Sequence, residues 1–271
     1  MNAPGQTLGQ PGTRVAGAAG LSWLEPDWSI PGRVRVVSTL RHGGVSRDCY
    51  ASLNLASHVG DDATAVDENR RRLRAATGMP AEPMWLAQVH GARVIELTPA
   101  DTSRSVHGAA PEADAAVACT AGCVCAIATA DCLPVVLADD AGTRVGVAHA
   151  GWRGLAGGVL ETTVHALDIP GPRLTAWLGP AIAAPAFEVG AEVRDAFITR
   201  AAAAERCFVA NARGRYQADL YALARLALGR LGVERITGGG WCTYANDQDF
   251  YSYRRDGRTG RMVTLAWLAD A

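Results

Sequence analysis

Short apolar runs, broken by glycine, proline and acidic corners, alternate with a few helix-period stretches along this chain. Residues 34–40, in "VRVVSTLRHGGVS", read as a strand that breaks at Gly43-Gly44. Asp61 or Asp62 caps a helix over about 63–77, with Gly78 as its stop. "MWLAQVHGARVIEL" gives two strand-like pieces around His90-Gly91, and "TPADTSRSVHGAAPEADA" reads as a loop that leaves His107 exposed and idle. "VCAIATADCLPVVLAD" is two apolar strand-like pieces with Asp131-Cys132 at the joint, and Pro134 falls early in the second, where a missing N–H is tolerable. A strand over "TRVGVAHA" precedes a helix over 155–167, and "RLTAWLGPAI" is a strand ending at Gly179-Pro180. Stretches 192–206 and 220–231 look helical, and the C-terminal "DFYSYRRDGRTGRMVTLAWL" reads as a hairpin around Asp256-Gly257 that ends in a strand.

The first twenty residues, rich in Gly, Pro, Ala and Gln, read as a disordered tail, residues 1–20, and folded sequence is expected from Leu21. No repeat and no Pro/Ser linker splits residues 21–271. The expectation is one α/β (α+β) domain with a mixed β-sheet and flanking helices. The alternation is too irregular for a doubly wound sheet, and no GxGxxG follows a strand.

Composition narrows the chemistry. All 26 basic residues are arginine, so no Schiff-base, general-base or P-loop lysine exists. A net charge of −1 offers no basic field for nucleic acid, and Arg70, Arg71, Arg72 and Arg74 read as a solvated helix face. No apolar window reaches about 18 residues and the N-terminus lacks a signal-peptide core, which points to a cytoplasmic protein without a membrane span. Seven cysteines, an odd number, argue for free thiols.

Three residues share one local context: His90 in "QVHG", Cys132 in "ADCLP" and His149 in "VGVAHAGWRG". Each interrupts the edge of an apolar run beside a small or turn-forming residue, and strand ends of one sheet can converge on one rim. Two imidazoles and a thiolate suit zinc or copper and leave a fourth position for water or substrate. Long spacings are not a metal signature in the way CxxC is, and each residue alone also reads as a hydrogen-bonded strand-end histidine or a buried thiol. Cys119, Cys123 and Cys125 are a weaker candidate cluster, because they lie in or before a strand whose alternate residues face opposite sides.

The ordered set "TLRHGGVS", "ASLNLASHVGDD", "ENRRRL", "QVHG", "EADAAV", "TADCLPVVLAD", "VGVAHAGWRGL", "LGPAI", "FEVG" and "YSYRRDGRTGRM" resembles the YfiH-type, laccase-domain-containing family. Its members are also called multicopper polyphenol oxidases, purine nucleoside phosphorylases or peptidoglycan editing factors. The resemblance runs from about Trp23 to the end and implies a CNF/YfiH-like fold, with His90, Cys132 and His149 as ligands of a zinc or copper ion. Many relatives carry a cysteine after the Gly-Pro-x-Ile stretch, where this chain has alanine, so accessory thiol chemistry there is not carried over. The resemblance implies phosphorolysis of adenosine, inosine and methylthioadenosine, with adenosine deamination beside it. The expected partners are a purine nucleoside and phosphate, with no nucleic acid and no membrane, on a monomer or weak homodimer.

Phosphorolysis needs an anion site, and Arg41 and Arg153 are the candidates, each with a structural carboxylate bridge as its alternative. Asp131 is a candidate general acid/base and equally a turn or supporting residue, while Trp152 is a core residue or a purine-stacking one. Two other chemistries fit the same residues. One is copper-dependent phenol oxidation, since His₂Cys is also a blue-copper set, although six histidines are few for a four-copper laccase. The other is a Cys–His hydrolase or amidase acting in peptidoglycan editing, with Cys132 as nucleophile and His149 as base.

Overall fold

Strands buried on both faces carry apolar residues at every position, and the period of two then sorts those residues between two cores. A computed structural model describes residues 12–30, 32–104 and 110–270. Its strands are β1 Thr13–Ala16, β2 Ser22–Glu25, β3 Val34–Thr39, β4 Val94–Leu97, β5 Ala115–Ala118, β6 Val124–Thr129 and β7 Leu133–Asp139. They continue as β8 Val145–Ala150, β9 Leu174–Leu178, β10 Glu188–Val189, β11 Phe208–Ala210, β12 Tyr216–Ala218, β13 Arg235–Gly238 and β14 Met262–Leu268. The helices are α1 Ala63–Thr77, α2 Pro99–Arg104, α3 Trp152–Gly157, α4 Val159–Leu167, α5 Ala191–Ile198, α6 Leu220–Arg230 and α7 Tyr253–Asp256.

A mixed six-stranded sheet runs β13-β9-β7-β8-β5-β4, and an antiparallel five-stranded sheet runs β1-β2-β3-β14-β6. In β7, Val135 and Leu137 pack with Leu160, Val164 and Leu228 on the side of α4 and α6. Val136 and Ala138 face the other way, toward Ile127, Cys125 and Ala266 of the five-stranded sheet. Beyond that sheet, Val124, Ala126 and Leu265 meet Leu73 of α1. The single domain is therefore layered as helices, six-stranded sheet, five-stranded sheet and α1. β6 and β7 belong to different sheets, so the chain crosses between layers at Asp131-Cys132.

α1 forms as expected. The Asp62 side chain accepts from the Ala65 N–H, and Gly78 closes the helix at φ 64°. Its arginines are not all solvated, since Arg70 stacks 3.8 Å from the Trp85 ring centroid and donates to the Leu55 carbonyl. Other expectations change. The tail expected over 1–20 contains β1, which pairs antiparallel with β2, because "TRVA" can extend the edge of the five-stranded sheet. Residues 1–11 and His107 lie outside the described residues. The helix expected over 155–167 starts at Trp152 and breaks at Gly158, whose φ of 95° is left-handed. The stretch 192–206 is α5 followed by a 3-10 segment. No C-terminal hairpin forms: α7 and a turn lead into β14, which lies between β3 and β6. Cys123 and Cys125 are buried, with Cys125 between the two sheets, while Cys119 is exposed. Among the described residues, no helix is long and apolar enough to cross a membrane.

Asn69 of α1, fully buried, secures the loop that follows β3. Its amide donates to Ser46 Oγ and to the carbonyls of Ser52 and Asn54, and its oxygen accepts from the Val45 N–H. Gly44 beside it has no room for a side chain, since a Cβ would lie 2.5 Å from the Asn69 oxygen. Asn69→Ala leaves buried backbone groups unpaired and is expected to lower the unfolding free energy by at least about 2 kcal/mol in urea titration. A change within about 0.5 kcal/mol would show that the loop is held elsewhere.

Candidate metal centre and its cleft

The sheet topology brings the candidate residues to one rim. β7 runs antiparallel to β8 with Pro134 opposite His149, so Cys132, just before β7, meets the end of β8. β5 also runs antiparallel to β8, and β4 runs parallel to β5, so the starts of both strands reach the same rim. Asp114 directly precedes β5, and His90 lies in the loop before β4. The ligand atoms of His90, Cys132 and His149 all lie within 4.8 Å of one another. Cys132 Sγ is 3.9 Å from His90 Nε2, and the two imidazoles meet edge to face at 4.8 Å between centroids.

Asp114 organises this rim and was not read from the sequence. It is fully buried, and its carboxylate accepts from three successive N–H groups, those of Val89 (3.2 Å), His90 (2.9 Å) and Gly91 (2.7 Å). His90 adopts a left-handed φ of 62°, which lets the loop wrap the carboxylate as a nest. Asp114 Oδ1 also meets His149 Nδ1 at 2.8 Å, and its carbonyl accepts the His149 N–H at 2.7 Å. With Nδ1 held there, Nε2 is the nitrogen left for a ligand. Burial raises the Asp114 carboxyl, but the His149 and Gly91 hydrogen bonds outweigh it and hold the group below its usual range. An acidic residue opening the apolar run of "EADAAV" was the signal available in the sequence.

Burial alone would push the Cys132 thiol up. The charges of His149 and His90, and the hydrogen bonds from both, bring it down to about 6. Burial would likewise depress His149, and the Cys132 and Asp114 partners raise it to about 9. The preferred state is a thiolate beside an imidazolium. Gly151 has an ordinary φ of −62°, but a Cβ there would lie 2.8 Å from Cys132 Sγ and 3.3 Å from the His90 ring. The glycine after His149 therefore serves close approach rather than a special turn.

The donors fit a metal ion. Ligands about 2.0–2.3 Å from one tetrahedral ion put donor atoms roughly 3.3–3.8 Å apart, close to the separations here. His90 is exposed, Cys132 partly exposed and His149 buried, so the triad opens on one side. That side is the floor of a cleft of about 510 Å³, within the roughly 300–1,000 Å³ typical of small-molecule sites.

Asp131, Trp152 and Arg153 line the cleft, as do His58, Arg254 and Arg261, which the sequence reading missed. Asp131 has φ 92°, and both of its carboxylate oxygens are engaged, by Thr243 Oγ1 and by the Arg254 N–H at 2.6 Å each. It fastens the C-terminal segment to the crossover between the sheets. Trp152 packs on the helical core and also faces the cleft, with the Arg153 guanidinium 4.4 Å over its ring. Arg41 is not brought to this cleft. Its guanidinium donates to the carbonyls of Ala51 and Asp247 and lies 4.6 Å over the Tyr251 ring. Its loop is pinned through the Arg41 backbone, whose N–H donates to the Asp249 carbonyl and whose carbonyl accepts from the Ser52 and Leu53 N–H groups.

Residues 35–269 match the family described as multi-copper polyphenol oxidoreductase laccase. The chain belongs to this family. It is 53% identical over 250 residues to a purine nucleoside phosphorylase of Pseudomonas aeruginosa, covering 92% of this chain and 99% of that one. It is 49% identical over 245 residues to purine nucleoside phosphorylase YfiH of Escherichia coli, covering 90% and 98%. A solved Neisseria meningitidis protein, 48% identical, superposes with a TM-score of 0.86 over 92% of this chain and 99% of its own. YlmD from Geobacillus stearothermophilus, 31% identical, gives 0.84 over 92% and 96%. The triad and its cleft thus sit within a laccase-family domain matched over nearly its whole length.

Two outcomes test the rim. Asp114→Asn keeps the shape but replaces one acceptor oxygen with a donor. It is expected to weaken zinc binding about 10- to 100-fold with the far-UV spectrum retained, and unchanged affinity would remove Asp114 from the centre. A lowered thiol pKa means that the reactive thiolate persists above about 6 and is lost below it. Peptide-resolved alkylation of Cys132 in the metal-free protein should therefore level off by pH 7 and fall below about pH 6. A rate still rising past about pH 8.5, as for an ordinary thiol, would contradict the thiolate–imidazolium pair.

Proposed function

We propose that this chain is a metal-dependent purine nucleoside phosphorylase acting on adenosine, inosine and methylthioadenosine. The observation that carries the reading is the His90–Cys132–His149 donor set at the floor of a cleft lined by arginines. Its similarity to the purine nucleoside phosphorylases of Pseudomonas aeruginosa and Escherichia coli supports it. His90, Cys132 and His149 would hold one zinc or copper ion, which supplies a Lewis acid when bound. Arg153, exposed over the Trp152 face, offers guanidinium donors to phosphate. Hydrogen phosphate attacks C1′ of the nucleoside, the C1′–N9 bond breaks, and the purine leaves with the proton that the phosphate gives up, while ribose 1-phosphate forms, or methylthioribose 1-phosphate from methylthioadenosine. Asp131, with both oxygens occupied, positions the wall rather than moving a proton. The solvent-facing His90 side also admits water, which suits the accompanying deamination of adenosine to inosine.

A second reading is a Cys–His nucleophile pair for amide hydrolysis, favoured by the thiolate–imidazolium contact. A thiolate bound to stoichiometric metal is a poor nucleophile, so metal content separates the two. Phenol oxidation by several coppers finds less support, because the triad is the one cluster able to hold an ion among the described residues. The expected result is one metal per chain in the purified protein and adenine plus ribose 1-phosphate from adenosine only when phosphate is present. Cys132→Ala should lose the metal and the phosphorolysis together while the fold survives. Unchanged metal content in Cys132→Ala, or adenine release indifferent to phosphate, would sink the proposal.

A further inference from the structure

Many arginines in this chain meet a carboxylate. Arg71 and Arg72 share Glu68, Arg173 meets Asp140, Arg194 meets Glu205 and Arg213 meets Glu188. The three that line the cleft do not: among the described residues, Arg153, Arg254 and Arg261 form no ion pair. Asp131 is the one acidic residue of the cleft lining, and its two oxygens accept from Thr243 Oγ1 and the Arg254 N–H rather than from a guanidinium.

The guanidiniums are held by neutral groups. Arg261 Nη1 donates to the carbonyls of Thr259 (2.8 Å) and Gly260 (3.0 Å), and burial lowers its pKa. Its backbone N–H is fixed by Asn54 Oδ1 at 3.0 Å. Gly260 before it packs so closely that a Cβ would lie 2.7 Å from the Tyr251 ring, which sets the direction of the next residue. Arg254 Nη1 donates to the Glu188 carbonyl at 2.9 Å, and its guanidinium lies 5.3 Å over the Phe187 ring. Its backbone is the one that Asp131 caps. Each guanidinium keeps further N–H donors for a ligand. Arg261 is partly buried, and the charges of Asp131 and Cys132 act on it without forming an ion pair; three guanidiniums and the His149 imidazolium still outnumber those two negative groups, which favours an anion drawn into the cleft.

We propose that Arg254 and Arg261 complete, with Arg153, an oxyanion subsite beside the metal triad that binds inorganic phosphate. This rests on the phosphorolysis reading for the role of the anion, but not for its binding. Three guanidiniums from two segments, the start of α3 and the segment before β14, line one cleft, and planar forks of this kind match tetrahedral oxyanions.

The test is calorimetric titration of the zinc-loaded full-length protein with inorganic phosphate. Arg261→Gln should weaken binding about tenfold to hundredfold, the loss of a charge-assisted bond. Arg254→Gln, on an exposed side chain, should weaken it in the same direction and carries the test if Arg261→Gln fails to fold. Arg173→Gln, distant and paired with Asp140, controls for overall charge and should leave the affinity unchanged. Repeating the titration on metal-free protein should retain phosphate binding. Wild-type affinity in both cleft variants, or binding that depends on zinc alone, would overturn the subsite. Phosphate binding that both cleft variants weaken, in a protein that cleaves no nucleoside, would leave the subsite standing and remove phosphorolysis.

Discussion

One buried carboxylate sets the geometry of the rim. Asp114 accepts three successive N–H groups of the His90 loop and the Nδ1 side of His149 at once. A fully buried charge tolerates no slack, because each lost partner leaves part of it unsolvated in a poor dielectric. The left-handed backbone at His90 is held by the same demand. Loop position, imidazole orientation and strand register are therefore coupled, and the His90–Cys132–His149 cluster follows from where Asp114 sits at the mouth of β5.

The second constraint is the passage of the chain between its sheets. β6 closes the five-stranded sheet and β7 is central to the six-stranded one, so Asp131 and Cys132, in the three-residue joint between them, lie where the chain crosses from one sheet to the other. Cys132 turns toward the histidines, while Asp131 ties the joint to Thr243 and to the start of α7. The C-terminal segment, far away in sequence, becomes a wall of the cleft by that tie. Gly151 then lets α3 begin directly against the thiol. The candidate metal donors and the arginines thus reach one cleft from separate elements, with Arg254 and Arg261 held through backbone carbonyls.

His90, Cys132 and His149 were legible in the sequence because each polar side chain stops an apolar run beside a turn former, and the topology places those stops on one rim. Asp114 has the same signature, but an acid before an alanine-rich strand reads as ordinary solvation, and only the fold shows that it is sealed. Arg254 and Arg261 were hidden because "YRRDGRTGR" carries turn residues that suggest a hairpin, whereas long-range contacts with Asp131 and Asn54 select a short helix and a tight turn. Arg41 reads as an anion ligand from its glycine-rich context, but it does not line the cleft, and its guanidinium meets two carbonyls and the Tyr251 ring. The single α/β domain with a mixed sheet was readable from apolar runs, but the division of its strands into separate sheets was not. The break at Gly158 and the edge strand β1 were not, because both depend on neighbours remote in sequence or on a single left-handed residue.

X-ray absorption at the metal edge of the zinc-loaded protein tests the central claim most directly. The account predicts one sulfur at about 2.3 Å, two imidazole nitrogens at about 2.0 Å and one further light ligand. A first shell of oxygen and nitrogen alone, with no sulfur, would place the metal away from Cys132 and contradict it.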